Sequence, residues 1–181
     1  MSEQAVERVA EARALFEPVS RWARELGMRF YGMPIQVRLR PARQAEAGKL
    51  GRTIQQRLWS GRKLLRNRIY GIEISRGLSP LRFQGVVAHE LGHVWLAVHR
   101  IRLPLVLEEG FCELLAHRFY TDLGGQEARR YAQEIETNPD PIYGGGFRYV
   151  QRVLGPAGPE RVLRERRLPL TIQHAPAGAV M

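Results

Sequence analysis

The sequence predicts an α+β fold in which a small, mainly antiparallel sheet packs on one buried helix and a helical lobe follows. Three observations predict it. Two short segments, Ile35–Leu39 (IQVRL) and Arg68–Ser75 (RIYGIEIS), alternate apolar and polar residues as half-exposed strands do. A helix over 81–98 is apolar around most of its circumference through Val86, Val87, Leu91, Val94, Trp95 and Val98, the pattern of a helix inside a core. Beyond it come only helix-period segments separated by Gly and Pro, and strands followed by helices is the order of an α+β chain.

Taken in order, the chain opens with a helix over about 3–26. Val6, Val9, Ala10, Ala14, Phe16, Val19, Trp22 and Leu26 recur at roughly helical spacing, Pro18 marks a kink and Gly27 the stop. The strand at 35–39 is followed by an Arg-rich stretch, Arg52–Arg68, read as a solvated loop or hairpin between strands, or as a patch for phosphate or an acidic partner. The strand at 68–75 reads as a sheet edge along which an extended peptide could lie, which makes Ile72 a candidate substrate contact. The turn 76–80 leads into the buried helix. A second apolar helix spans 107–123 and ends at Gly124 and Gly125. Shorter helices are expected near 126–136, 146–153 and 159–166. Between the first two lies NPDPIYGGG, whose prolines and three consecutive glycines predict a shaped loop. One domain is expected over 1–167, with its core at about 68–165 and a tail at 168–181.

Composition narrows the function classes. A hydrophobic fraction of 44% and a charged fraction of 25% are those of a packed globular protein, which excludes wholesale disorder. No apolar run reaches the ~18 residues of a membrane span, and the first residues lack a secretion-signal core. The single cysteine, Cys112, excludes an internal disulfide, so a cytoplasmic location is expected. The net charge of +10 suits nucleic acid or an acidic protein as a partner through 52–68; however, 26 of the 28 basic residues are arginines scattered along the chain.

The chemistry concentrates at 89–93, His-Glu-Leu-Gly-His. Histidines at i and i+4 of a helix share a face, so two imidazoles can reach one ion, with the intervening Glu90 beside a water on it. Left without an ion, three ionisable groups on one turn of an apolar helix would cost several kcal/mol. A catalytic zinc needs a third protein ligand and an open fourth position. The next helix offers Glu108 and Glu109, and Glu109 is preferred because Glu109, Glu113 and His117 form one stripe at i, i+4 and i+8. On this reading Glu113 and His117 orient the ligating histidines. Cys112 lies to one side of the stripe and is read as a small core residue.

The segment VVAHELGHVWLAVHRIRLPLVLEEGFCELLAH resembles the peptidase core of the DA-one-like proteins, in which a His-Glu-x-x-His helix is followed by a Glu-Glu-Gly-x-Cys helix. The later DPIYGGGFRYV resembles the same family's Pro-x-Tyr-Gly-x-Gly-Phe-Arg segment. Glu-Glu-Gly-Phe is also similar to the Asn-Glu-Gly-Phe of gluzincin aminopeptidases, where the glutamate is the third zinc ligand. The resemblance implies a zincin-like, zinc-dependent endopeptidase acting on a protein or peptide, with one Zn2+ per chain on His89, His93 and Glu109 and Glu90 as general base. It makes Tyr143, in the loop that matches the family segment, the candidate oxyanion donor; Arg148 is a candidate contact to a substrate carboxylate or to Glu109. The plant members carry ubiquitin-binding segments and a LIM domain; a chain with one cysteine holds no LIM zinc ribbon, and ubiquitin-dependent activation does not carry over. The alternative is a basic protein- or nucleic-acid-binding module with a structural zinc.

Overall fold

A computed structural model describes residues 5–41, 49–61, 63–155 and 158–166, without the side chains of 57–59 and 63–67. The expected tail at 168–181 lies outside the described residues. The architecture is α+β, with six helices and a three-stranded sheet among the described residues.

The first helix, α1 (Val9–Glu25), buries Ala12, Phe16, Val19 and Ala23, spaced by three and four residues. It starts later than the periodicity suggests. Val6 donates to the carbonyl of Leu78 (2.9 Å) and accepts from Gly77 (3.1 Å), which holds residues before the helix extended against a turn far along the chain. Glu11 closes the start by accepting the backbone N–H groups of Glu7 (3.2 Å) and Arg8 (3.1 Å). The helix runs on through Pro18.

The strands are β1 (Val37–Arg40), β2 (Gly51–Ser60) and β3 (Lys63–Ser75), in the order β1-β3-β2. The sheet is mixed: β1 runs parallel to β3 from Val37↔Ile72 to Arg40↔Ser75, and β2 runs antiparallel from Gly51↔Ile74 to Ser60↔Lys63. The Arg-rich stretch is therefore a hairpin, and its first arm is a strand that the alternation did not reveal. Bulges at Ile54/Gln55 and Leu58/Trp59 break the period of two. Placing β3 in the middle also corrects the expected edge. Ile72 and Ile74 are fully buried, and the outer strands are β1 and β2.

Helix α2 (Pro80–Val98) begins with Pro80 behind Ser79, whose hydroxyl accepts the N–H of Arg82 (3.3 Å). It packs on α1, on β2 and β3, and on α3 (Leu105–Leu123), so apolar residues all round it are buried, Phe83, Val87, Leu91 and Trp95 among them. Helices α4 (Gln126–Thr137), α5 (Tyr143–Leu154) and α6 (Gly158–Glu165) complete the lobe. The loop expected at NPDPIYGGG is shorter than predicted, because Tyr143 and the three glycines already belong to α5. Asp140 stops the turn and starts the helix, accepting the N–H groups of Ile142 (2.8 Å) and Tyr143 (2.9 Å). Two of the glycines serve close packing: a Cβ on Gly146 would stand 2.3 Å from the Val106 carbonyl oxygen, and one on Gly144 1.9 Å from that of Asn138. No helix among the described residues is long and apolar enough to cross a membrane.

Candidate metal centre

The antiparallel pair α2 and α3 builds the site. Small residues let the two helices approach: a Cβ on Gly85 would collide with Tyr120, and one on Gly92 would stand 2.9 Å from Cys112 Sγ and 3.0 Å from Leu115. That proximity brings the first turn of α3 under the two histidines of α2.

His89 and His93 converge through their Nε2 atoms, 3.2 Å apart. Glu109 Oε2 lies 3.2 Å from the first and 3.4 Å from the second. For a tetrahedral zinc with bonds of about 2.0–2.1 Å, neighbouring ligand atoms stand about 3.3 Å apart. The three atoms thus form one face of such a tetrahedron, and the donor set of two imidazoles and a carboxylate fits the ion.

The remaining ring nitrogens point outward to other carboxylates. His89 Nδ1 is 3.1 Å from Glu113 Oε1, and His93 Nδ1 is 3.0 Å from Glu108 Oε1. Glutamates therefore contact both ring nitrogens of each histidine. Burial favours neutral His89, but its hydrogen bonds to the Glu109 and Glu113 carboxylates outweigh it and raise its pKa well above the ordinary value. His93 is likewise raised against burial, by Cys112, Glu108 and Glu109. Burial pushes the Glu109 carboxyl upward, and the two imidazoles bring it far below the usual carboxylate range.

Glu90 is 4% exposed and projects toward the sheet. Thr53 Oγ1 of β2 donates to Glu90 Oε2 (2.8 Å) and also lies 3.2 Å from its carbonyl oxygen. Two residues along the strand, Gly51 presses on the same side chain; a Cβ there would stand 2.7 Å from Glu90 Oε1. Strand β2 therefore grips the glutamate between the two candidate metal histidines.

Comparison with known proteins bears on this constellation. A family model described as DA1-like, Protein DA1, matches residues 35–127, just over half of the chain, from ahead of β1 into the start of α4. The chain belongs to the DA1-like family. Protein DA1-related 7 of Arabidopsis thaliana is 27% identical over 138 residues, which are 59% of this chain and 24% of that protein. The match thus spans about a quarter of the curated relative. No solved structure matches.

The remaining candidates of this DA1-like chain divide into near and distant. Tyr143, at the start of α5, has its ring centroid 6.5 Å from that of His89. Burial, and next the charge of Glu109, raise its phenol pKa. Its place follows from the close crossing of α5 on α3, where a Cβ on Gly110 would stand 2.4 Å from the Gly146 backbone. His117, unlike Glu113, does not orient a ligating histidine. Eight residues along a helix is about 12 Å, beyond the reach of an ion at Glu109, and His117 pairs with Glu136 (2.7 Å) beside Phe147. Arg148 donates to the carbonyls of Glu136 (3.0 Å) and Asn138 (2.8 Å), bracing the connection between α4 and α5. Ile72 sits fully buried in the central strand. In the Arg-rich segment, Arg52 pairs with Glu73 (2.6 Å) and the Arg68 guanidinium lies 5.3 Å from the Tyr70 ring centre.

Sequence reasoning gave no role to Glu108, Thr53 or Gly51. Glu108 carried one signal, as the first acid of a doublet near the start of a helix; one helix step from Glu109, it reaches the other ring nitrogen of His93. Thr53 carried none, being 37 residues from its partner. Cys112, read as core, is fully buried, and its sulfur lies within 4.8 Å of a nitrogen of each histidine, which makes it a fourth metal-capable atom on the inner side of the centre.

Proposed function

We propose that this protein is a zinc-dependent peptidase of zincin-like, gluzincin type that hydrolyses peptide bonds in a protein substrate, with one zinc per chain on His89, His93 and Glu109. The observation that carries the reading is the 3.2–3.4 Å triangle of His89 Nε2, His93 Nε2 and Glu109 Oε2, with Glu90 following His89 on the same helix. A site serving structure alone has no use for Glu90.

Zinc bound there supplies Lewis acidity, bringing the pKa of water toward ~7 and polarising a carbonyl oxygen. Glu90 acts as general base on the attacking water and passes the proton to the leaving amine as the C–N bond breaks. The hydrogen bond from Thr53 to Oε2 fixes the orientation of that carboxylate. Tyr143, a phenol held neutral by burial and by Glu109, donates a hydrogen bond to the developing oxyanion. The outer strand β2, whose Gly51 and Thr53 touch Glu90, offers backbone groups to an extended substrate.

The test has two stages. Metal analysis of the purified protein beside His93→Ala should give one zinc per chain, absent from the variant. Cleavage of an unfolded protein substrate should then be lost in Glu90→Gln, which retains zinc. Folded wild-type protein that neither carries nor takes up zinc would sink the reading.

A further inference from the structure

We infer that Glu108 is a positioning residue of the metal centre, fixing the His93 ring so that Nε2 faces the ion, as Glu113 does for His89. The inference rests on the metal-centre reading above. A neutral imidazole has one protonated and one bare nitrogen, and a metal takes the bare one. With both Nε2 atoms 3.2 Å apart and turned to the same point, the protons belong on Nδ1, and each Nδ1 needs an acceptor. Glu113 Oε1 supplies one at 3.1 Å and Glu108 Oε1 the other at 3.0 Å. Turning the His93 ring over would set a C–H against Glu108 and swing Nε2 out of the triangle. The carboxylate therefore selects both the tautomer and the ring orientation.

The arrangement follows from helix geometry. Glu108 and Glu109 are one step of about 100° apart, so they reach opposite sides of His93: Glu109 the Nε2 side, Glu108 the Nδ1 side. Glu113, one turn beyond Glu109, reaches the outer side of His89. One helix thus carries the third ligand and both restraints, and the N-terminal half of α3 sets the geometry of histidines that belong to α2. Glu108 retains 24% side-chain exposure, against 12% for Glu109, which places it at the rim of the centre.

The test measures the zinc dissociation constant by chelator competition for wild type, Glu108→Ala, Glu108→Gln and, as the benchmark, Glu113→Ala, with folding checked by circular dichroism. Partners of this kind are typically worth 10–100-fold in metal affinity. Glu108→Ala should weaken binding by that factor while still taking up one zinc per chain, and Glu108→Gln, whose amide oxygen still accepts from Nδ1–H, should recover most of the loss. In nitrogen-15 spectra of the zinc-loaded protein, the His93 Nδ1–H signal should be protected from exchange in wild type and Glu108→Gln and lose protection in Glu108→Ala. Wild-type affinity and a protected signal in Glu108→Ala overturn the inference. Loss of stoichiometric binding in Glu108→Ala, as in His93→Ala, also overturns it, because Glu108 is then a ligand. Failure of the wild type to bind zinc removes the metal-centre reading itself, and is distinct from both.

Discussion

Alanine at Gly145 and at Gly146 should move stability in opposite directions. Both positions lie in the first turn of α5, so each substitution gains up to about 1 kcal/mol from helix propensity. They differ in what the new methyl meets. At Gly145 the nearest atom is the Asp140 carbonyl oxygen at 3.7 Å, an ordinary contact, and the gain should appear intact. At Gly146 the methyl would stand 2.3 Å from the Val106 carbonyl oxygen and 3.2 Å from Gly110, and both are backbone atoms that no rotamer change can move. Restoring an ordinary separation of about 3.4 Å requires α5 to retreat from α3 by roughly 1 Å; overpacking of this kind costs about 1–3 kcal/mol. With the propensity gain subtracted, Gly146→Ala should lose up to about 2 kcal/mol, or roughly 4–8 °C in Tm for a chain of this size. Urea and thermal unfolding of the two variants beside wild type would decide it, provided each transition is two-state. Equal stability of the two variants would refute the claim that α5 and α3 meet through bare backbone.

Gly51→Ala tests the grip of β2 on Glu90: the methyl would displace a carboxylate 2.7 Å away, so hydrolysis should fall by at least tenfold with zinc content unchanged, and full activity in a zinc-loaded variant would refute it. Zinc affinity should rise with pH, because the raised His89 and His93 hold protons that the metal must displace; competition titrations should approach two decades per pH unit while both rings are charged, and a flat profile would contradict this. In metal-free protein the sign follows from linkage. Raised histidines stabilise fully below about pH 6.5 and lose that contribution as pH rises through their folded values, while the depressed Glu109 contributes above about pH 4.3 and loses it as pH falls through its own. The cluster should therefore help the apo protein most between about pH 4.3 and 6.5, which a series of apo unfolding curves would show.

What the sequence disclosed is what repeats locally. The periodicity of α2 and α3 and the spacing of His89, Glu90 and His93 are visible because a helix maps neighbours in space onto separations of three and four. The adjacent doublet Glu108 and Glu109 announced itself for the same reason, although only one of the two received a role. Non-local pairing left no such trace. Strand β2 was hidden by two bulges that break its alternation, and the parallel pairing of β1, which makes β3 central and buries Ile72, depends on which of two edges a distant segment joins. Glycines misled in the other direction. Gly144 and Gly146 read as a loop but mark a helix pressed on its neighbours, since a glycine signals either freedom of the chain or absence of a side chain, and composition alone does not distinguish the two.

The two histidines and three glutamates that converge at the centre fall between residues 89 and 113, on consecutive helices joined by a short turn. An αα-hairpin needs little loop closure, so these five side chains meet through local contacts. Thr53 reaches Glu90 only once the hairpin of β2 and β3 has docked on α2, a contact between residues 37 apart in sequence. The candidate ligands thus belong to one local unit, whereas the grip on Glu90 depends on a long-range contact that only the complete fold supplies.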